Sequence, residues 1–426
     1  MAGRPRRTIA CAAVAWGLCL GLTGGGCAFG PKVLEKTHGR YNEAVRRVDE
    51  EQLLRNLVRM RYNETPLDLN VSSIAAQYEL DGGAEARPFF AAPNPTSAGV
   101  FHPFSRVLPD VMVNGSNRPT ITLVPGDSGD AVQRFLTPIS TDTLVFLFQT
   151  SWPVSTVLRL WVERLNGVPN AASASGPPRC DVPDFARFRQ VAELVQSFRD
   201  RKLGTVHTEE YYAEVGGPLP PSAVTASAAV DAAKNGLEYR PRDDGTSWAL
   251  VRKERRLVME LNPAALGHPD LDELVELLNL QPGRLRYEII PAPGIVPDPL
   301  LFPGPPYPDL RISTRSTAQV FFYLANGVEV PCEHLAAGVA RQPVGPDGVP
   351  FDTRAVTEGL FTVHACKGHK PPAAAFVAVK YRDYWYYIDD RDQESKATFA
   401  LVLQLSRLDF ARQQPAIPFL TLPVGR

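Results

Sequence analysis

The apolar stretch nearest to a membrane-crossing length, residues 8–22, stops about five residues short of the roughly 20 that a spanning helix needs, and gives way to Thr23-Gly24-Gly25-Gly26. Reaction signatures are missing as well: there is no G-x-S-x-G elbow, no S-x-x-K arrangement with its partner motifs, no Walker loop and no H-E-x-x-H helix. Nor is there an excess of charge. The 426 residues carry 45 Lys and Arg against 46 Asp and Glu, and loss of Arg4, Arg6 and Arg7 with a cleaved start leaves 42 against 46. That balance argues against nucleic acid as a partner and against strong attraction of the body to anionic lipid. Cysteine is sparse: of six, Cys11, Cys19 and Cys27 fall in the first 27 residues, leaving Cys180, Cys332 and Cys366.

What the N-terminus does contain is a basic start, an apolar run and a small-residue segment, in the order of a secretory signal. Its last glycine precedes Cys27, whose thiol is placed for alkylation by a lipid after cleavage behind Gly26. Such signals usually carry Leu three residues before the cysteine; here that position is Gly24, and the nearest Leu is Leu22. An ordinary cleaved signal is the alternative. Cys19, behind Trp16-Gly17-Leu18, fits less well, and Arg6-Arg7 is a lone pair of the kind that many basic starts contain. The expected arrangement is therefore a signal peptide over residues 1–26 and a lipid on Cys27.

About 400 residues follow, enough for two or three domains with sizeable cores. Three stretches rich in proline or small residues punctuate them: "GVPNAASASGPPRCDVP" (167–183), "VGGPLPPSAVTAS" (215–227) and "PAPGIVPDPLLFPGPPYP" (291–308). Proline lacks the amide hydrogen and fixes φ, so such runs interrupt helices and central strands. The first and third are expected to be linkers, dividing the chain into regions 27–166, 184–290 and 309–426.

Periodicity fills those regions with an α+β mixture of helices and short, mostly antiparallel strands. Apolar residues at threes and fours predict helices over 41–61, 141–149, 153–165, 184–201, 269–280 and 316–325. Alternation or β-branched and aromatic enrichment predicts strands in "LDLNVSSIAAQYEL", "RPTITLVP", "GLEYRP", "SWALVRK", "RLVMELN", "LFTVHAC", "AAAFVAVKY" and "YWYYI", the last two forming a hairpin around Arg382-Asp383. Residues 399–405 read equally as helix or strand.

Four groups of residues have chemistry to weigh. Cys332, His334, His364 and His369, with Cys366 nearby, form the densest set of soft donors, so a zinc-binding protein or hydrolase built on them is the alternative to a non-catalytic role. In an oxidising compartment the simpler arithmetic is a Cys332–Cys366 disulfide with Cys180 left over. Asp389, Asp390, Asp392 and Glu394 could offer oxygens to calcium, but they lack the glycine and spacing of a calcium loop and fit helix capping better. Tyr381, Tyr384, Trp385, Tyr386 and Tyr387 read as cross-strand packing before they read as a stacking platform. "GDSGD" (126–130) echoes a serine-protease loop, yet only His38 and His102 precede it and the preceding chain is too short and too helical for that double barrel, so a polar loop opening a helix is expected.

Taken as a set, "EQLLRNLVRMRYNETP", "VSSIAAQY", "RPTITLVPGDSGDAVQRFLTPIS", "STRSTAQVFFYLANGVEVP", "YYIDDRDQESKATFALVLQLSRL" and "FLTLPVGR" resemble an uncharacterised family of bacterial envelope lipoproteins. The resemblance spans most of the mature chain. It implies membrane attachment and a shared fold, and brings no activity, cofactor or binding residue with it. The expectation is thus a lipid-anchored envelope protein facing the periplasm, with Ala28 after the cysteine favouring the outer membrane. A binding or scaffold role with envelope protein partners is expected, and neither an enzymatic role nor a cofactor.

Overall fold

The first helix, α1 (Phe29–Arg61), ends where the periodicity placed its end but starts well upstream of residue 41. Leu53, Leu54, Leu57 and Val58 put one stripe of it into the core. The computed structural model describes residues 29–66, 69–89, 106–125, 129–292 and 294–411. Next come two long strands, β1 (Leu69–Phe89) and β2 (Arg106–Pro125), paired antiparallel from Leu69↔Pro125 to Phe89↔Arg106. The two strands expected there are opposite arms of one ribbon. By its contacts the chain falls into two units: α1 through Asp49 with the ribbon, and a body made of Glu50–Leu67 and Asp127–Arg426.

In the body the order is α2 (Gly129–Leu136), α3 (Thr141–Gln149), α4 (Val154–Trp161), β3 (Val162–Leu165), β4 (Val168–Pro169), α5 (Ala186–Asp200), β5 (Gly204–Leu219), α6 (Ala226–Lys234), β6 (Leu237–Pro241), β7 (Trp248–Leu261), α7 (Pro269–Leu277), β8 (Arg286–Pro291), β9 (Leu310–Thr314), α8 (Thr317–Ala325), α9 (Cys332–Ala336), β10 (His364–Lys367), β11 (Ala375–Tyr381), β12 (Tyr384–Asp389) and α10 (Gln393–Ala411). This is an α+β fold. One sheet runs β4-β3-β9-β8-β7-β5, and β6 also pairs with β7; β10-β12-β11 form a second. Because β5 lies along one edge of β7 from Trp248 to Leu261, β6 and β8 share the other edge end to end. Within the large sheet only β8 and β9 are parallel.

Several expected boundaries move, each for a local reason. The helix expected over 153–165 stops at Trp161, because residues 162–165 pair with β9 as strand β3. "SWALVRK" and "RLVMELN" are one strand, β7. At α8, Ser316 is the N-cap: its hydroxyl accepts from the Gln319 amide at 3.2 Å while the Gln319 side chain accepts from the Ser316 amide at 2.8 Å, a capping box. The ambiguous 399–405 lie inside α10.

The linkers expected at 167–183 and 291–308 do not separate domains. A single apolar core runs from Leu53 to Val402, including Val168, Ala171 and Ala174 from the first of them. Asn166 and Gly167, at φ +48° and +84°, make the two-residue turn between β3 and β4. Asn166 donates to the Leu278 carbonyl at 2.9 Å and accepts from the Arg311 amide at 2.6 Å, so the turn is stitched into the core. The proline-rich segment after β8 is the crossover between two adjacent parallel strands. It lies so close to the turn that a Cβ on Gly167 would sit 2.1 Å from the Pro297 carbonyl oxygen.

Around this turn Arg315 is wholly buried. Its guanidinium donates to the carbonyls of Arg159 (2.7 Å) and Leu160 (3.2 Å), to the Asn170 carbonyl, and through Nε to Ser175 Oγ (2.7 Å), with the Tyr323 ring 4.2 Å away. Asn170 adds bonds from Nδ2 to the Val162 carbonyl (2.6 Å) and the Arg159 carbonyl (2.9 Å). Helix α4 ends among these groups, so a cation stands where its terminal carbonyls concentrate negative potential.

On the ribbon of β5 and β7 the two strands carry opposite charge. Glu209 pairs with Arg256 (2.9 Å) and with Arg286 of β8, and Glu210 with Lys253 (2.6 Å). Glu214 reaches Arg242, between β6 and β7, at 2.9 Å.

Candidate functional site

The residues singled out by their chemistry converge on the C-terminal part of the body, where β10–β12, α9 and the end of α1 meet. β11 and β12 turn on Arg382 and Asp383, at φ +47° and +68°, a two-residue hairpin as expected from the sequence. Strand alternation then sends Tyr386 and Ile388 into the core, while Trp385 and Tyr387 stay partly exposed on the opposite face. Opposite them on β10 stand Cys366 and His364, whose ring lies 5.5 Å from that of Tyr387.

Tyr62, just past α1, is the hub. Its hydroxyl lies 2.6 Å from Tyr386 Oη and 2.6 Å from His334 Nδ1 on α9. Two hydroxyl hydrogens serve both contacts when Tyr386 donates to Tyr62 and Tyr62 donates to an unprotonated Nδ1. Burial, reinforced by the Arg382 cation, holds the His334 pKa below its ordinary value, which keeps the imidazole neutral as that arrangement requires. Burial likewise raises both Tyr62 and Tyr386, so the pair stays as phenols.

Charged groups lie beside these hydrogen-bonded side chains. Tyr381 donates to Glu64, Arg382 Nη2 donates to the same carboxylate at 2.9 Å, and the Arg382 guanidinium lies 5.2 Å from the Tyr62 ring centre. The Tyr381 hydroxyl, then Arg382, hold the Glu64 pKa below the usual carboxylate range. Beside it, the His334 ring meets that of Tyr384 edge-on at 5.2 Å, and Glu333 ion-pairs with Lys367 at 3.3 Å. His364 faces Glu329 at 3.8 Å, an ion pair longer than a hydrogen bond, and this carboxylate raises the imidazole's pKa.

Against the sequence expectations the placement is mixed. The tyrosines are packing and hydrogen-bonding residues of a hairpin, split between its two faces. Cys180, Cys332 and Cys366 are free thiols, so the expected Cys332–Cys366 bridge is not formed; α9 is fixed over the sheet by Glu333 and His334 instead. The alternative zinc set is dispersed: His334 Nδ1 is engaged by Tyr62, His364 by Glu329, and His369 is exposed in the loop after β10. Among the described residues no three His, Cys, Asp or Glu side chains gather as metal ligands.

Of the acidic quartet, Asp392 caps α10 by accepting from the Ser395 amide (3.0 Å) and hydroxyl (2.6 Å). Asp389 accepts from the Arg391 side chain and amide, which holds its pKa down to about 2. Asp390 pairs with Lys396 at 2.7 Å. Gly129 and Asp130 open α2, whereas residues 126–128, the N-terminal segment with Cys27, and the closing "FLTLPVGR" lie outside the described residues. Sequence reading missed the part of Tyr62 altogether. Its one signal is that it ends the α1 stripe with a polar-tipped aromatic. No family model, curated protein or solved structure matches the chain.

Proposed function

We propose that the chain is a lipid-anchored protein of the bacterial cell envelope, a non-catalytic binding or scaffold component held at the outer membrane by acyl chains on Cys27 and facing the periplasm. One observation carries this reading: Arg4, Arg6 and Arg7, the apolar run 8–22, the small residues 23–26 and Cys27 follow one another in the order a lipoprotein signal needs. Each buried methylene of an acyl chain contributes ~0.8 kcal/mol, so a modified cysteine bearing two or more chains stays on a bilayer.

The body supports the same reading. Two histidines of its C-terminal part, His334 and His364, meet Tyr62 and Glu329, and thereby tie the end of α1, α9 and the small sheet together. Such an arrangement fits a rigid frame that presents surfaces to envelope partners. Mass spectrometry of the native N-terminal peptide should find a mature start at acylated Cys27, and Cys27→Ser should move the protein from the membrane to the soluble fraction. An unmodified start, or a serine variant that still fractionates with membranes, would overturn the proposal. Co-purification from gently solubilised envelopes then identifies the partners.

A further inference from the structure

A cavity of about 250 Å³ lies where the ends of α3 and α5 meet the start of β5, the end of β7 and α7. Its walls include Phe148, Val195, Phe198, Val206, Met259 and Leu274, of which all but Val195 and Val206 are buried. Protein interiors leave few voids larger than a water molecule, and an apolar cavity of about 150 Å³ already stays dry and accepts benzene. The space here opens to solvent and has Gln149, Arg199 and Thr205 beside its apolar wall, and at this size it has room for an alkyl chain of several methylenes.

Arg199 stands on the same lining, and no Asp or Glu does. Its guanidinium is fixed by donating to the Trp152 carbonyl at 3.0 Å and the Thr150 carbonyl at 2.9 Å. Other arginines on or just after α5 are matched by carboxylates: Arg187 by Asp298, Arg189 by Glu358 and Arg201 by Asp270. Among the described residues Arg199 has no such match. A held cation beside an apolar pocket complements an alkyl tail with an anionic head, of which a carboxylate is the smallest.

We infer that this cavity binds a free single-chain aliphatic carboxylate, its tail against Phe198, Met259 and Leu274 and its head on Arg199. The inference rests on the binding role proposed above and gives that role a ligand class. Its test uses the full chain carrying Cys27→Ser, which needs no detergent, so failure of the titration and failure of the anchor are read in different experiments. Titration calorimetry with decanoate at neutral pH should show saturable binding of one molecule per chain.

Arg199→Gln should weaken decanoate about tenfold or more while leaving 1-decanol unchanged, because only the charged head loses its charge-assisted bonds. Val206→Phe, at a half-buried wall position, should abolish binding of both; Val195→Phe repeats the test from α5 should the first variant melt at a lower temperature. Absence of saturable decanoate binding, equal decanoate affinity in Arg199→Gln, or parent affinity in a folded cavity-filling variant would each overturn the inference.

Discussion

Replacing Arg315 with Leu tests the most heavily bonded buried group of the body. Burial draws its pKa down to about 10, so it is still a cation at neutral pH. Its partners are neutral: carbonyls of Arg159, Leu160 and Asn170 and the Ser175 hydroxyl. The Arg159 carbonyl keeps a bond from Asn170 Nδ2 when the guanidinium is gone, whereas the Leu160 and Asn170 carbonyls lose a charged donor. Each buried group left unsatisfied costs about 1–3 kcal/mol. Leucine removes the several kcal/mol spent on desolvating the cation, which offsets part of that sum.

A net loss of about 3 kcal/mol follows for Arg315→Leu, close to a hundredfold in the folding equilibrium. Urea unfolding followed by tryptophan fluorescence reads it directly, since Trp161, whose carbonyl accepts from the Arg315 amide at 2.8 Å, sits in the same knot. The midpoint should fall with the slope unchanged. Arg315→Lys should recover less than half of the loss, because an ammonium cannot serve the helix end, the Asn170 carbonyl and Ser175 together. A change under about 1 kcal/mol for Arg315→Leu would refute the reasoning, since the carbonyls would then have found other donors.

Tyr62→Phe leaves both the Tyr386 hydroxyl and His334 Nδ1 without their partner and should cost about 1–3 kcal/mol, more than Tyr386→Phe, with the double variant costing less than the sum in a denaturation cycle. Gly167→Ala should cost about 3 kcal/mol or more, read as a lowered melting temperature, because the residue has φ +84° and its new Cβ would strike Pro297. His364 is held above its ordinary 6.5 by Glu329, and Glu329 below its ordinary 4.5 by His364, so their contribution is complete between those values. It fades as pH rises through the raised His364 value or falls through the lowered Glu329 value. Partial exposure limits it to about 0.5 kcal/mol, and Glu329→Gln should flatten the urea midpoint between about pH 6 and pH 8.

Much of the secondary structure was legible because local signals agreed with tertiary ones. α3 runs over the residues that periodicity gave it, Ser140 caps it, and Ser316 with Gln319 marks the start of α8. What failed was the reading of proline and glycine as boundaries. Residues 167–174 look like a linker by composition, yet Val168, Ala171 and Ala174 are core, and distant groups make the stretch burial-compatible: Arg315 donates to the Asn170 carbonyl, Asn326 to the Ala174 carbonyl, and the Asn166 side chain bonds to the Arg311 amide and the Leu278 carbonyl. β5 was invisible to hydrophobic periodicity, since "GTVHTEEYYAEVGG" has polar residues on both faces. Its signal was pairwise: "TEEYYAE" is the charge complement of "VRKERR" on β7. The Tyr62 chain joins residues 272 and 324 positions apart, a relation that no window of sequence contains.

The pairing of β5 with β7 has a mechanical corollary. Val258 and Leu261 near one end of β7, and Ala249 and Val251 near the other, are buried among apolar groups, while residues 252–256 between them add to the backbone ladder side-chain ion pairs that face water. Dissolved salt screens exposed ions over about 10 Å at 0.1 M and leaves sealed contacts untouched. Electrolyte thus loosens this double strand most at its midpoint: backbone amides there should show a larger gain in deuterium exchange in brine than those beside the buried residues at its two ends.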